Sequence, residues 1–167
     1  LILATGGKAM VTAAYSSGTP AIGVGPGNVP AFIESSANIE EAIEAIVSSK
    51  SFDNGVICAS EQAIVVEESI KAEVVAKLKE KQAYFMNLEE SEKVSKFILR
   101  ETGALNPEIV GKSAEAVADL IGISVPAGTK VLISEQTEIS KNNPYSREKL
   151  TPILGLYTVS SFETGVA

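Results

Sequence analysis

The chain contains no histidine and no tryptophan, and it has a single cysteine, Cys58, among 167 residues. Without an imidazole, a Ser-His-Asp triad, a Cys-His dyad and nearly every catalytic zinc site are excluded within this chain, so no metal is expected. One cysteine cannot close an internal disulfide, which fits a reducing, cytoplasmic setting. Long apolar runs are missing: no segment approaches the roughly 20 residues that cross a bilayer, and no signal peptide opens the chain. Basic runs are missing too. Lys and Arg number 14 against 21 Asp and Glu, and a net charge of −7 argues against a nucleic-acid partner. The remainder, 45% apolar and 21% charged, is ordinary for a soluble globular chain and long enough for one domain with a core.

Turn signals and apolar spacing divide the chain. Leu1-Ile2-Leu3-Ala4 reads as a strand entered mid-fold, with no initiator Met, so the chain is expected to be a piece of something larger. Thr5-Gly6-Gly7 and a helix over residues 8–15 follow; a glycine turn at a helix N-terminus can hold a phosphate, or it is a plain tight turn. Ser17-Gly18-Thr19-Pro20 breaks the helix, and residues 21–30 alternate glycine with other residues before Ala31-Phe32-Ile33 resumes a strand. Asn38 and Glu41 have capping-box spacing ahead of an amphipathic helix over residues 39–50. A strand over residues 63–66 leads to a helix with Ile70, Val74 and Leu78 on one face. Asn87 caps a helix expected to stop near Gly103, and Ser113 caps another closed by Gly122. Strands over residues 130–133 and within 151–159 complete an α/β layered pattern with a largely parallel sheet.

Residues 51–62, SFDNGVICASEQ, carry the chemistry. Gly55 stands close before Cys58, leaving room for an electrophile to approach the sulfur, and reactivity then depends on the thiolate. A lone cysteine is also commonly a buried small hydrophobe. Both readings fit the segment alone. Glu61 could act as a general base, but alternation along an extended chain places it on the face opposite Cys58, as a polar surface or interface contact.

Residues 4–7 (ATGG), 21–28 (AIGVGPGN), 52–62 (FDNGVICASEQ) and 148–154 (EKLTPIL) together resemble the aldehyde dehydrogenase superfamily, and more narrowly its CoA-acylating branch. The branch includes the aldehyde half of bifunctional aldehyde–alcohol dehydrogenases. The resemblance implies a three-layer catalytic domain with a largely parallel sheet flanked by helices. It assigns residues 1–22 to the end of a dinucleotide-binding domain and residues 23–167 to the catalytic domain, incomplete at its C-terminus. It makes Cys58 the nucleophile, NAD the cofactor and CoA the co-substrate of a small aldehyde such as acetaldehyde. Gly6, Gly7, Gly25 and Glu148 then face the cofactor, Glu148 through the nicotinamide ribose, while Gly27, Asn28 and Ile57 shape the substrate pocket. A homo-oligomer is also implied, with fusion to an alcohol dehydrogenase domain or filament formation as features of the bifunctional branch.

One departure bears on the chemistry. Hydrolytic members of the superfamily carry a water-activating glutamate where this chain has Gly23, and Gly25 and Gly27 supply nothing ionisable. A thiol such as CoA is a better nucleophile than water and needs less help, so the loss fits acyl transfer to CoA. A hydrolytic enzyme with a base from elsewhere, an acyl-phosphate reductase and a non-catalytic assembly domain remain the alternatives at this stage.

Overall fold

The computed structural model describes residues 1–167. Residues 2–24 form a small first unit. Strand β1 (Ile2–Thr5), helix α1 (Lys8–Ser16) and strand β2 (Ala21–Val24) make a two-stranded parallel sheet with one crossover helix. β2 was not expected from the sequence, because its short AIGV run reads as part of the glycine-rich loop. The division expected after residue 22 falls within this strand.

The second sheet has five strands, all parallel, in the order β3 (Val29–Ile33), β4 (Glu61–Glu67), β7 (Ile153–Val159), β6 (Val131–Gln136), β5 (Ala83–Phe85). β3 lies at an edge, where Pro30 can sit without breaking a central ladder, and the register shifts beside it. Helices α2 (Ile39–Ser51) and α3 (Lys71–Glu80) cover one face; α4 (Leu88–Ile98) and α5 (Ala114–Ile121) cover the other. A five-residue helix, Phe162–Val166, ends the chain.

Side-chain alternation feeds both faces at once. Val131 and Ile133 of β6 point into the cluster with Ile43, Val47, Val74 and Leu78, while Leu132 between them packs with Val94, Ile98 and Val117. Fully burying one such side chain contributes about 1.5–3 kcal/mol, so the two clusters hold the central strands rigid. The expected three-layer α/β architecture is what forms.

Caps set the helix starts. The Asn38 side chain accepts from the Glu41 N–H at 3.3 Å, without the reciprocal bond that a capping box requires. Asn87 and Glu90 make the complete box. α4 ends at Ile98 rather than near Gly103, since Leu99 turns extended and bridges Leu105 across a tight reversal, with Gly103 at φ 76°. No helix is long and apolar enough to cross a membrane.

Candidate active site

α2 delivers the chain into a strained turn. Asp53 (φ 47°, ψ 36°), Asn54 (φ 53°, ψ 33°) and Gly55 (φ 69°) are left-handed in succession. For the two non-glycine residues this conformation costs about 1–2 kcal/mol each, so the surroundings must hold it. They do so with polar contacts: the Asn54 amide donates to the Gly111 carbonyl at 3.0 Å, and the Ser60 hydroxyl donates to the Gly55 carbonyl at 3.4 Å. Gly55 is wedged so that a Cβ there would lie 2.9 Å from the Lys50 carbonyl oxygen and 3.0 Å from the Thr151 carbonyl carbon. The turn carries Cys58 outward between this bend and β4, where the thiol is exposed. The reading of Cys58 as a buried hydrophobe therefore fails.

Gly27 lies against this turn. A Cβ on it would stand 2.6 Å from the Cys58 carbonyl oxygen, and its own N–H donates to Glu148 Oε1 at 3.1 Å. Asn28 donates to the Ser146 carbonyl at 2.9 Å. A cavity of about 490 Å³ brings together Gly7, Gly27, Asn28 and Glu148, with Lys8 and Arg147 on its wall. Gly7 is the N-cap residue of α1. Gly6 sits beside this cavity's chain segment but packs on Met10, and Gly25 is exposed with open space around it. Ile57 faces elsewhere, into a separate hollow with Phe52, Ala45 and Ala59. A helix N-terminus and two cationic side chains suit a dinucleotide's phosphates as donors, and a half-buried carboxylate suits its ribose hydroxyls as an acceptor.

Gly23 has a wall where a side chain would go. A Cβ on it would lie 2.6 Å from Val11 Cγ1 and 3.0 Å from the Tyr15 ring, and its N–H donates to the Tyr15 hydroxyl at 2.9 Å.

Behind the thiol turn the interior is polar. Gln62, Lys50 and Lys149 are wholly buried. Gln62 Oε1 accepts from the Lys149 backbone N–H at 3.0 Å and from Lys50 Nζ at 3.4 Å, and its amide N–H donates to the Ser60 carbonyl at 3.1 Å. Lys149 Nζ donates to the carbonyls of Tyr145 (2.9 Å) and Arg147 (2.8 Å). Burial brings Lys50 down to about 8, against the pull of the Glu61 and Glu148 charges. Burial and the like charge of Lys50 hold Lys149 well below the ordinary lysine range.

Glu61 is half-buried: its Oε2 is enclosed and has no hydrogen-bond partner, and its charge acts on Lys50. Alternation does not apply, because residues 57–59 form a turn and the strand begins only at Glu61. Lys50, Gln62 and Lys149 escaped the sequence reading as well. Lys50 nonetheless lies three, four and seven positions from Val47, Ile46 and Ile43, on the apolar face of α2, which marks it as inward-facing. Gln62 and Lys149 carry no such periodic signal.

Residues 3–150 match the model of the aldehyde dehydrogenase family. The chain belongs to the aldehyde dehydrogenase family. It is similar to the aldehyde-alcohol dehydrogenase of Clostridium acetobutylicum, with 47% identity over 98% of this chain and 19% of that protein. Among solved structures, it matches an acetylating aldehyde dehydrogenase from Geobacillus thermoglucosidasius at TM-score 0.94 and 55% identity, over 97% of this chain and 36% of that one. It also matches a propionaldehyde dehydrogenase of Rhodopseudomonas palustris with bound CoA and an acylated cysteine, at TM-score 0.86 and 32% identity, over 98% and 37% of the two chains. This aldehyde dehydrogenase segment thus spans about a fifth of the curated relative and just over a third of the solved ones.

Proposed function

We propose that this segment carries the nucleophile of a CoA-acylating, NAD-dependent aldehyde dehydrogenase, with acetaldehyde or a similar small aldehyde as substrate. Residues 1–22 would close a dinucleotide-binding domain and residues 23–167 would belong to the catalytic domain. The Cys58 thiolate adds to the aldehyde carbonyl, forming a carbon–sulfur bond and a thiohemiacetal oxyanion beside the Cys58 backbone N–H. NAD, when bound, supplies the hydride acceptor. Cys58 is then left as a thioester, which the CoA thiolate attacks; the carbon–sulfur bond to Cys58 breaks and its thiolate is restored as acyl-CoA departs. Glu148 would receive the ribose hydroxyls and Gly6, Gly7 and Gly25 would face the cofactor, while Gly27 and Asn28 border the approach to the thioester; Ile57, in its separate hollow, has no part in that approach.

The observation that carries this reading is the packing at Gly23. The position that holds the water-activating glutamate in hydrolytic members has Val11 and Tyr15 where its side chain would stand, so water lacks a base there. The relatives' own names, acetylating and propionaldehyde dehydrogenases, one of them holding CoA and an acylated cysteine, support the same direction. Fusion to an alcohol dehydrogenase domain is part of the proposal, supported by the aldehyde-alcohol dehydrogenase relative, and membership of a homo-oligomer is carried over from the family resemblance alone.

NADH formation from acetaldehyde by the complete protein, with and without CoA, tests it. Strict CoA dependence that Cys58→Ala abolishes is expected. Equal rates without CoA point to the hydrolytic reaction, and full activity of Cys58→Ala removes the mechanism.

A further inference from the structure

Two paths join the thiol turn to the segment carrying Glu148. The front path is open to the cavity: Cys58 touches Gly27, and Gly27 donates to Glu148. The back path is buried and passes through one side chain. Gln62 reaches Ser60, two residues after the cysteine, with its amide N–H, and reaches the Lys149 N–H, next to Glu148, with its amide oxygen. The same oxygen faces Lys50, in the last turn of the helix that feeds the cysteine turn. Together the two paths close a ring around the site.

We infer that Gln62 is a positioning residue: its buried amide fixes the Cys58 turn relative to Glu148, with Lys50 as its second donor. The inference rests on the roles proposed above for Cys58 and Glu148. Only an amide satisfies this position, because it must accept on one side and donate on the other. A methionine would fill the volume but leave the Ser60 carbonyl, the Lys149 N–H and the Lys50 ammonium without their partner. A glutamate would keep both donors on Lys149 and Lys50, yet place an acceptor against the Ser60 carbonyl. The two substitutions therefore load different ends of the strut: Gln62→Glu disturbs the cysteine side and Gln62→Met disturbs both.

The experiment uses the complete protein with Gln62→Met and Gln62→Glu. It measures the rate of Cys58 alkylation by iodoacetamide, followed by mass spectrometry of the Cys58 peptide, together with kcat, KM for NAD and Tm. Gln62→Glu is expected to change the alkylation rate about tenfold with KM for NAD within twofold of the parent; Gln62→Met is expected to shift both about tenfold. If either folded variant leaves both quantities within twofold of the parent, or if the variants only lower Tm or fail to fold, Gln62 is a core amide and the inference is overturned. Alkylation needs neither aldehyde nor CoA, so a failure of the acyl-transfer reading shows in the CoA dependence and leaves this result to stand by itself.

Discussion

The front and the back of the site invert the usual placement of side chains. A free cysteine is among the most buried residue types and a lysine is almost never fully buried. Here Cys58 is exposed, while Lys50, earlier in the same stretch of chain, and Lys149, beside Glu148, are wholly buried. The front stores its cost in backbone, in the left-handed run from Asp53 to Gly55; the back stores it in desolvated ammonium groups. The contrast teaches that an exposed thiol can be held still by polar groups that solvent never reaches. The thiol turn is braced by hydrogen bonds made in the interior.

The comparison can be broken most forcefully at Gly55, which touches both sides. Gly55→Ala forces a side chain into the left-handed region and against the Lys50 and Thr151 backbone. A loss of about 3 kcal/mol in unfolding free energy is expected, measured by denaturant titration of the complete protein. Gly27→Ala acts on the front alone. Its Cβ would stand 2.6 Å from the Cys58 carbonyl oxygen, so the turn must move, and kcat/KM for the CoA-dependent reaction should fall about 100-fold, with a smaller loss of Tm than Gly55→Ala. An unchanged kcat/KM would show that the turn has freedom the packing does not suggest.

The smallest effect sharpens the back. Lys50 falls from 10.5 to about 8 on folding, so the unfolded chain binds its proton more tightly. Its stabilising contribution is full above about pH 10.5 and is lost as the pH falls through about 8. Between pH 8 and 9 the parent should therefore gain about 1 kcal/mol relative to Lys50→Met. Parallel stability curves for the two proteins over that interval would mean that Lys50 is solvated in the folded state.

Much of the scaffold was legible because periodicity and caps are local. Asn87, Ser113 and Gly122 mark helix ends that form where their chemistry says they should. The strands that went unread, β2 and β5, are four and three residues long, too short for alternation to register. Cys58 stood out as the only thiol, and its exposure follows from the glycine before it. The cluster of Lys50, Gln62 and Lys149 was hidden for the opposite reason. Gln62 and Lys149 carry no periodic mark of burial, unlike Lys50 on the apolar face of α2, and only pairing of β4 with β7 places their two segments side by side.

The connection from β6 to β7 contains only one short helical turn, Pro144–Ser146, in residues 137–152. It is fastened near its far end. The Asn143 amide bonds Gln136 and the Glu138 carbonyl, the Tyr145 hydroxyl donates to the Ser91 carbonyl, and the buried Lys149 lies beyond. Glu148 sits downstream of the first two fastenings, whereas Ile139, upstream of them, projects into solvent. Insertions or deletions around Ile139 would therefore lengthen or shorten an exposed loop outside the cavity while leaving the carboxylate in place.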